Sequence, residues 1–183
     1  MPRTHAIAPD QARRFLEPGP VVLLSTAHGG ERGIMTLGWH MMLGYDLVGT
    51  YIDPGNRSHA LARGSRQCVI NLPTADLLDT VIRIGNCSSA DADKFERFRL
   101  SAVDSAHVDA PGIGDCHARF ECVLHETRIT ADDPLFVWRV VAAHAARRPK
   151  WPRTVHYRGD GCFMVSGDER RRRALFRPDM LAS

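Results

Sequence analysis

The chain has 183 residues, of which 44% are hydrophobic and 25% charged, and a formal net charge of +3. That length suits one domain with a real core, and the composition excludes a disordered chain. Much of the positive excess lies in Arg170, Arg171, Arg172 and Arg173; it suits a phosphate-bearing small ligand and does not by itself indicate nucleic acid.

The first residues carry no apolar leader-like run, and the longest early apolar stretch, residues 21–24, is far below membrane-spanning length. Five cysteines without a Cys-x-x-Cys pair argue against a disulfide framework and fit a reducing cytoplasm. The expectation is a cytoplasmic protein with no membrane and no nucleic-acid partner.

Residues 9–16 read as a short helix, stopped by Pro18, Gly19 and Pro20. A β-rich run over 21–26 ends at His28, Gly29 and Gly30, a hairpin signal, and 33–43 returns antiparallel to it. Residues 46–52 form a third strand, closed by Asp53, Pro54, Gly55 and Asn56. Ser58 is placed to cap a short helix over 59–63. A continuous apolar strand over 67–72 follows. Thr74 then caps a helix whose stripe is Leu77, Leu78, Val81 and Ile82. A loop through Gly85 and Ser89 leads to a small helix with Lys94, Phe95 and Phe98. Long strands are predicted over 116–129, 135–144 and 162–166. Strands joined by hairpins, with peripheral helices and no glycine-rich strand-to-helix fingerprint, point to a closed antiparallel barrel rather than a Rossmann sheet.

Standard catalytic constellations are missing: no Gly-x-Ser-x-Gly elbow, no P-loop and no His-Glu-x-x-His. Cys116 and Cys122 fall on one face of a predicted strand, His117 and His125 on the other, so they do not converge on a metal. They read as two buried thiols and two surface histidines.

Donors and aromatics gather instead in turns. Met35, Thr36, Gly38 and Trp39 lie within six residues, and Asn56, Arg57 and Ser58 open a helix after a Pro-Gly turn. A helix start with free N–H groups, a hydroxyl and a guanidinium is a phosphate cradle, to which Lys94 adds a second cation. Read from the residues alone, an ordinary cap, a barrel tryptophan and a surface lysine stand as the alternative.

The ordered series of segments adds to this. Residues 20–26 and then Gly33-Ile34-Met35-Thr36-Leu37-Gly38-Trp39-His40 resemble the opening hairpin of the flavoredoxin branch of the flavin reductase family. Asn56-Arg57-Ser58, residues 68–73, Ile84-Gly85, Asp93-Lys94-Phe95, Ala110-Pro111-Gly112-Ile113, Glu121-Cys122, residues 140–144 and His156-Tyr157-Arg158-Gly159 follow in the family's order. The match runs over roughly residues 18–167, leaving a basic tail over 168–183 of one domain spanning 1–183.

The resemblance implies a mainly β fold, a Greek-key antiparallel split β-barrel with peripheral short helices, working as a homodimer with flavin near the subunit interface. It implies FMN as cofactor, FAD being the variant, and NADH or NADPH as electron donor, so that hydride passes from a nicotinamide nucleotide to flavin. A monooxygenase or another redox partner would take the electrons. Alternative readings are an FMN-bound electron-transfer protein of flavoredoxin type and a non-redox binding module on the same fold. By position, Met35 and Thr36 would offer backbone and hydroxyl contacts to the flavin, Trp39 would lie along its ring or ribityl chain, and Ile52 would touch the ring edge through its backbone. Asn56, Arg57, Ser58 and Lys94 would hold the phosphate, and Phe163 would border the ring. Gly33 stands where the family often has asparagine, and Arg57 where lysine is also found. His156 would meet the nicotinamide nucleotide, or else is a barrel histidine bonded to backbone. The four-arginine run reads as a solvated tail, with a nucleotide 2′-phosphate or a partner's acidic face as its other possible contacts.

Overall fold

The computed structural model of the protein describes residues 1–125 and 134–181. The chain enters through β1 (Thr4–Ile7), a 3-10 turn (Pro9–Ala12) and α1 (Arg13–Leu16). A hairpin of β2 (Val22–His28) and β3 (Glu31–Leu37) follows. Its two-residue turn is Gly29 and Gly30, at φ 61° and 83°. Both angles are left-handed, as a primed hairpin turn requires, and glycine meets them without a Cβ clash.

The strand predicted over 33–43 is broken in two. β3 leaves its partner at Leu37, opposite Val22. The chain then re-pairs as β4 (His40–Met42) with β5 (Leu47–Tyr51), the Tyr51 amide donating to the Trp39 carbonyl at 3.0 Å. After α2 (Arg57–Ser65) and β6 (Gln67–Leu72), the apolar stripe predicted as one helix splits into a 3-10 turn (Ala75–Leu77) and α3 (Leu78–Gly85). Then come α4 (Lys94–Arg97), a small ladder of β7 (Ala102–Val103) and β8 (Gly112–Ile113), β9 (Ala118–Leu124) and β10 (Leu135–Ala146). A separate hairpin, β11 (Val155–Gly159) and β12 (Cys162–Val165), precedes the tail. Positions 126–129 of the strand predicted over 116–129 lie outside the described residues.

The main sheet is antiparallel and curls into a half-barrel of order β3-β2-β6-β9-β10-β5-β4, with β1 paired to the far end of β10. The closed barrel expected from strand content is therefore not what forms. The end strands β3 and β4 do not pair, because α3 and the loop after it cover the β3 edge. The Thr36 hydroxyl donates to the Val81 carbonyl at 2.6 Å, and the Ile34 amide to Ser89 Oγ at 3.3 Å. The sheet also takes in β1, a strand that lies before residue 18.

Apolar side chains leave both faces of β2, which is why that segment reads as an unbroken apolar run. Val22 and Leu24 enter one core cluster with Phe120, Phe136 and Trp138. Val21 and Leu23 enter another with Ile34, Val81, Ile84 and Phe95. Burial of Val81 and Ile84, at roughly 1.5–3 kcal/mol each, seats α3 against the sheet. Two buried polar side chains then fix the loop between α4 and β9. Asn71 accepts from the Ile113 amide at 2.8 Å, and the Glu121 carboxylate accepts from the amides of Ala106 and His107. Left unpaired, either would carry a desolvation cost.

No helix among the described residues is long and apolar enough to cross a membrane.

Candidate functional site

The turn after β5, the end of α3 and the start of α4 meet around a cavity of about 320 Å³. Asn56, Arg57, Ser58, Lys94 and Met35 all line it, so five of the residues singled out in the sequence come together. Gly85, Asn86, Cys87, Ser88 and Ser89 supply the rest of the wall with Gly55. These were read as a plain loop. Their signal is a run of small polar residues directly after a helix, which matters only once the fold carries it opposite residue 56.

Ser58 does not cap α2. The helix begins two residues earlier than expected, with Asn56 at the cap position in extended conformation (φ −80°, ψ 133°) and no side-chain cap bond. The His59 amide donates to the Asn56 carbonyl at 3.0 Å, while the amides of Arg57 and Ser58 have no side-chain cap and belong to residues that line the cavity. Ser58 is buried, and its hydroxyl makes no hydrogen bond among the described residues.

Lys94 is not the surface lysine of the alternative reading. It is 4% exposed. Its Nζ donates to the Ile84 carbonyl at 2.9 Å, at the C-terminal end of α3 where the helix dipole is negative. It forms no ion pair with a described carboxylate. Burial pushes its pKa down, while Cys87 and Asp91 pull the other way and Arg97 adds to the lowering. Asp93 sets the position by capping α4: its carboxylate accepts from the Phe95 amide at 2.8 Å and from the Arg32 guanidinium at 2.7 Å. A buried ammonium facing a helix start is a donor set for a phosphate group.

Arg57 departs from its expected role. Both its Nε (3.0 Å) and Nη2 donate to Glu31 Oε2, an exposed ion pair across the cavity's edge. The carboxylate thus holds the fork that was expected to grip a phosphate. Beyond it lies an open groove of about 1070 Å³, sharing Arg57 and Ser89 with the smaller cavity and carrying Asp91, Asp104 and Asp109. Its acidic lining repels a phosphate and leaves the smaller cavity as the better anion site.

The position of Gly33 has a steric cause. A Cβ there would sit 3.0 Å from Ser89 Oγ and 3.1 Å from Leu61. Ser89 occupies the space that an asparagine side chain would need.

Apart from Met35, the residues expected around the flavin lie outside this cavity. Thr36 already donates its hydroxyl to Val81, leaving its lone pairs to accept. Trp39 is 72% exposed and meets the Tyr51 ring edge-on at 5.4 Å. The Ile52 amide is committed to the Pro134 carbonyl at 2.8 Å, so only its carbonyl is left for a backbone contact. Phe163 packs on Tyr157 at 4.9 Å in the separate hairpin. His156 has both ring nitrogens engaged, Nδ1 with the Gly19 carbonyl and Nε2 with the Thr154 hydroxyl, each at 3.0 Å. That leaves no ring N–H for a nicotinamide and matches a histidine bonded to backbone.

No group of three or more metal-ligating side chains occurs among the described residues. The Cys116/Cys122 pair is buried as expected but not on one face. Cys116 precedes β9 and packs in the cluster with Ile113 and Val155, whereas Cys122 packs in that with Phe120 and Trp138. His117 is buried rather than on the surface, because the chain turns into the sheet there and its ring lies 6.0 Å from Phe15.

The fold is that of a split-barrel protein, with a cavity lined by a buried lysine beside its opening hairpin. The model of the flavin reductase like domain matches residues 13–163, and the chain belongs to that family. An uncharacterized protein of Pyrococcus abyssi is 30% identical over 131 residues, 70% of this chain and 75% of its own length. An FMN-binding domain of a flavin reductases-like enzyme from Shewanella baltica superposes with a TM-score of 0.84 at 25% identity, covering 93% of this chain and 98% of that one. Flavoredoxin of Desulfovibrio vulgaris (Miyazaki F) superposes at 0.76 with 17% identity, over 85% of this chain and 90% of its own, a likeness of fold.

Proposed function

We propose that the chain binds FMN, with the phosphate in the cradle of residues 56–58 and Lys94, and works as an NAD(P)H-dependent flavin oxidoreductase. One observation carries this reading: the 4%-exposed ammonium of Lys94 opens, without a carboxylate partner, onto a cavity that also receives the start of α2. A phosphate there would compensate the buried charge and accept from otherwise unpartnered donors. The S. baltica domain, whose description names FMN, supports the choice of cofactor.

Lys94 Nζ, the Ser58 hydroxyl and the first N–H groups of α2 would hold the phosphate. Met35 would back the cofactor from β3, and the exposed indole of Trp39 would flank its ring. When bound, flavin supplies the redox chemistry, accepting electrons from a nicotinamide nucleotide and handing them on. The chain's own part is to position and to shield, which agrees with a site lacking an acid–base dyad.

The homodimer belongs to the same reading. Met41 on β4, Trp39 and Leu43 flanking that strand, Tyr51 on β5 and Leu135 on β10 are large, exposed apolar side chains. Register places them on one face, Met41 opposite Gly49 and Tyr51 opposite Leu135. A contiguous apolar face of this kind marks a protein interface. Packing two such faces together would bring the indole of Trp39 to the subunit boundary.

His156, tied to Gly19 and Thr154, favours a second reading in which a protein donor replaces the nicotinamide nucleotide. An anaerobic titration of the FMN-loaded protein with NADH and NADPH separates the two. Bleaching of the flavin absorbance by either nucleotide supports the reductase. Bleaching only by a reduced redox protein supports the carrier.

A further inference from the structure

A second cavity, of about 570 Å³, lies between β1, the helical turns after it and the end of β10, and shares no residue with the cradle. Its origin is in the sequence. The run Ala142-Ala143-His144-Ala145-Ala146 ends β10 with small side chains, and Ala145 and Ala146 leave the floor open beside Ile7. Phe15 and Trp151 stand at its side, ring centroids 5.1 Å apart at 56°.

The rim is cationic. Arg14, Arg147 and Lys150 line it, and no carboxylate does. The Lys150 ammonium lies 5.3 Å from the Trp151 centroid, so one charge already sits over the aromatic wall. Arg147 makes no ion pair with a described residue. His5 lines the cavity as well, its Nδ1 enclosed in the protein without a hydrogen-bond partner. Aromatic walls and a one-sign rim are complementary to a flat ring carrying negative charge, and the volume lies in the usual small-molecule range.

We propose that this cavity binds a planar aromatic anion, an aryl carboxylate or a purine nucleotide, at a site separate from the flavin cradle. The inference does not rest on the flavin reading, since its residues and its readout are different.

Isothermal titration calorimetry of the full chain, with FMN present throughout, tests it using 2-naphthoate, adenosine 5′-monophosphate, their neutral counterparts 2-naphthylmethanol and adenosine, and inorganic phosphate. The expected result is saturable binding of at least one aromatic anion at one per chain. Its neutral counterpart and inorganic phosphate should each bind at least tenfold more weakly. Whichever anion binds distinguishes an aromatic acid from a nucleotide as the natural ligand. Arg147→Ala combined with Lys150→Ala, both on the surface and so neutral for folding, should weaken binding at least tenfold, as should Trp151→Ala. FMN affinity should stay unchanged in all of them. No saturable binding of either anion, equal binding of the neutral counterpart or of phosphate, or binding indifferent to the double variant would overturn the proposal.

Discussion

Lys94 and Cys87 converge on one carbonyl. The ammonium donates to Ile84 O at 2.9 Å and the thiol lies 3.7 Å from the same oxygen. Cys87 therefore sits in the cradle wall beside the buried ammonium.

The first prediction follows from that geometry. Iodoacetamide should alkylate Cys87 in the flavin-free protein, and saturating FMN should slow the reaction by roughly tenfold or more. Exposed Cys162 should react at one rate in both states, and buried Cys68, Cys116 and Cys122 should stay silent, giving internal controls. Peptide mass spectrometry over a time course reads all five thiols. Equal Cys87 rates with and without FMN would place the cofactor elsewhere.

The Glu31 carboxylate competes with a phosphate for the Arg57 fork. Exposed ion pairs of this kind are worth about 0.2–1 kcal/mol, so Glu31→Gln should tighten FMN binding by roughly 1.5- to 5-fold. Fluorescence quenching of FMN measures it. Weaker binding in the variant would show that Glu31 helps the cradle rather than opposing it.

Acid stability turns on a buried histidine. Burial holds the His117 pKa below its ordinary 6.5, and Nε2 has no partner among the described residues. The unfolded chain thus takes up this proton at a higher pH than the folded one. Stability is intact above 6.5 and falls as pH drops below it towards the lowered folded-state value. Half-buried His40, its pKa also lowered by desolvation, acts in the same direction. His117→Leu should flatten the decline of Tm between about pH 7 and pH 5 by removing one of these protons. An unchanged slope would mean that the folded protein protonates His117 as readily as the unfolded chain.

The apolar face predicts an assembly state. Met41→Glu combined with Leu43→Glu puts two charges where the dimer would exclude water, and sedimentation velocity should show monomers where the parent chain shows dimers. A parent chain that sediments as a monomer would remove the homodimer from the account.

Turn chemistry and the positions of most strands could be read from the sequence. The Gly29–Gly30 hairpin is a local signal, and the apolar run of β2 is simply a strand buried on both faces. The closed barrel could not be excluded locally, because the covering of the β3 edge depends on Thr36 meeting Val81, 45 positions away. At the site, residues 56–58 and Lys94 were legible as chemistry, and their convergence came from the order of family-like segments. Their partners were not. Glu31 and Arg57 are 26 residues apart, and nothing in the spacing of 85–89 says that this loop closes the cradle. Burial of His117 was missed for a related reason: strand periodicity was extended back past Ala118, where the strand begins.

The most direct measurement is FMN affinity as a function of pH for the parent chain, Lys94→Met and Lys94→Arg. The account predicts that Lys94→Met loses roughly 10- to 100-fold in affinity near neutral pH, the loss of one charge-assisted hydrogen bond, while its thermal stability without FMN is retained or raised. Burial lowers the lysine pKa below its ordinary 10.5, so the parent's affinity should fall as pH rises before that value is reached, a fall absent from both variants. Undiminished FMN affinity in Lys94→Met across that range would contradict the claim that this buried ammonium holds the phosphate.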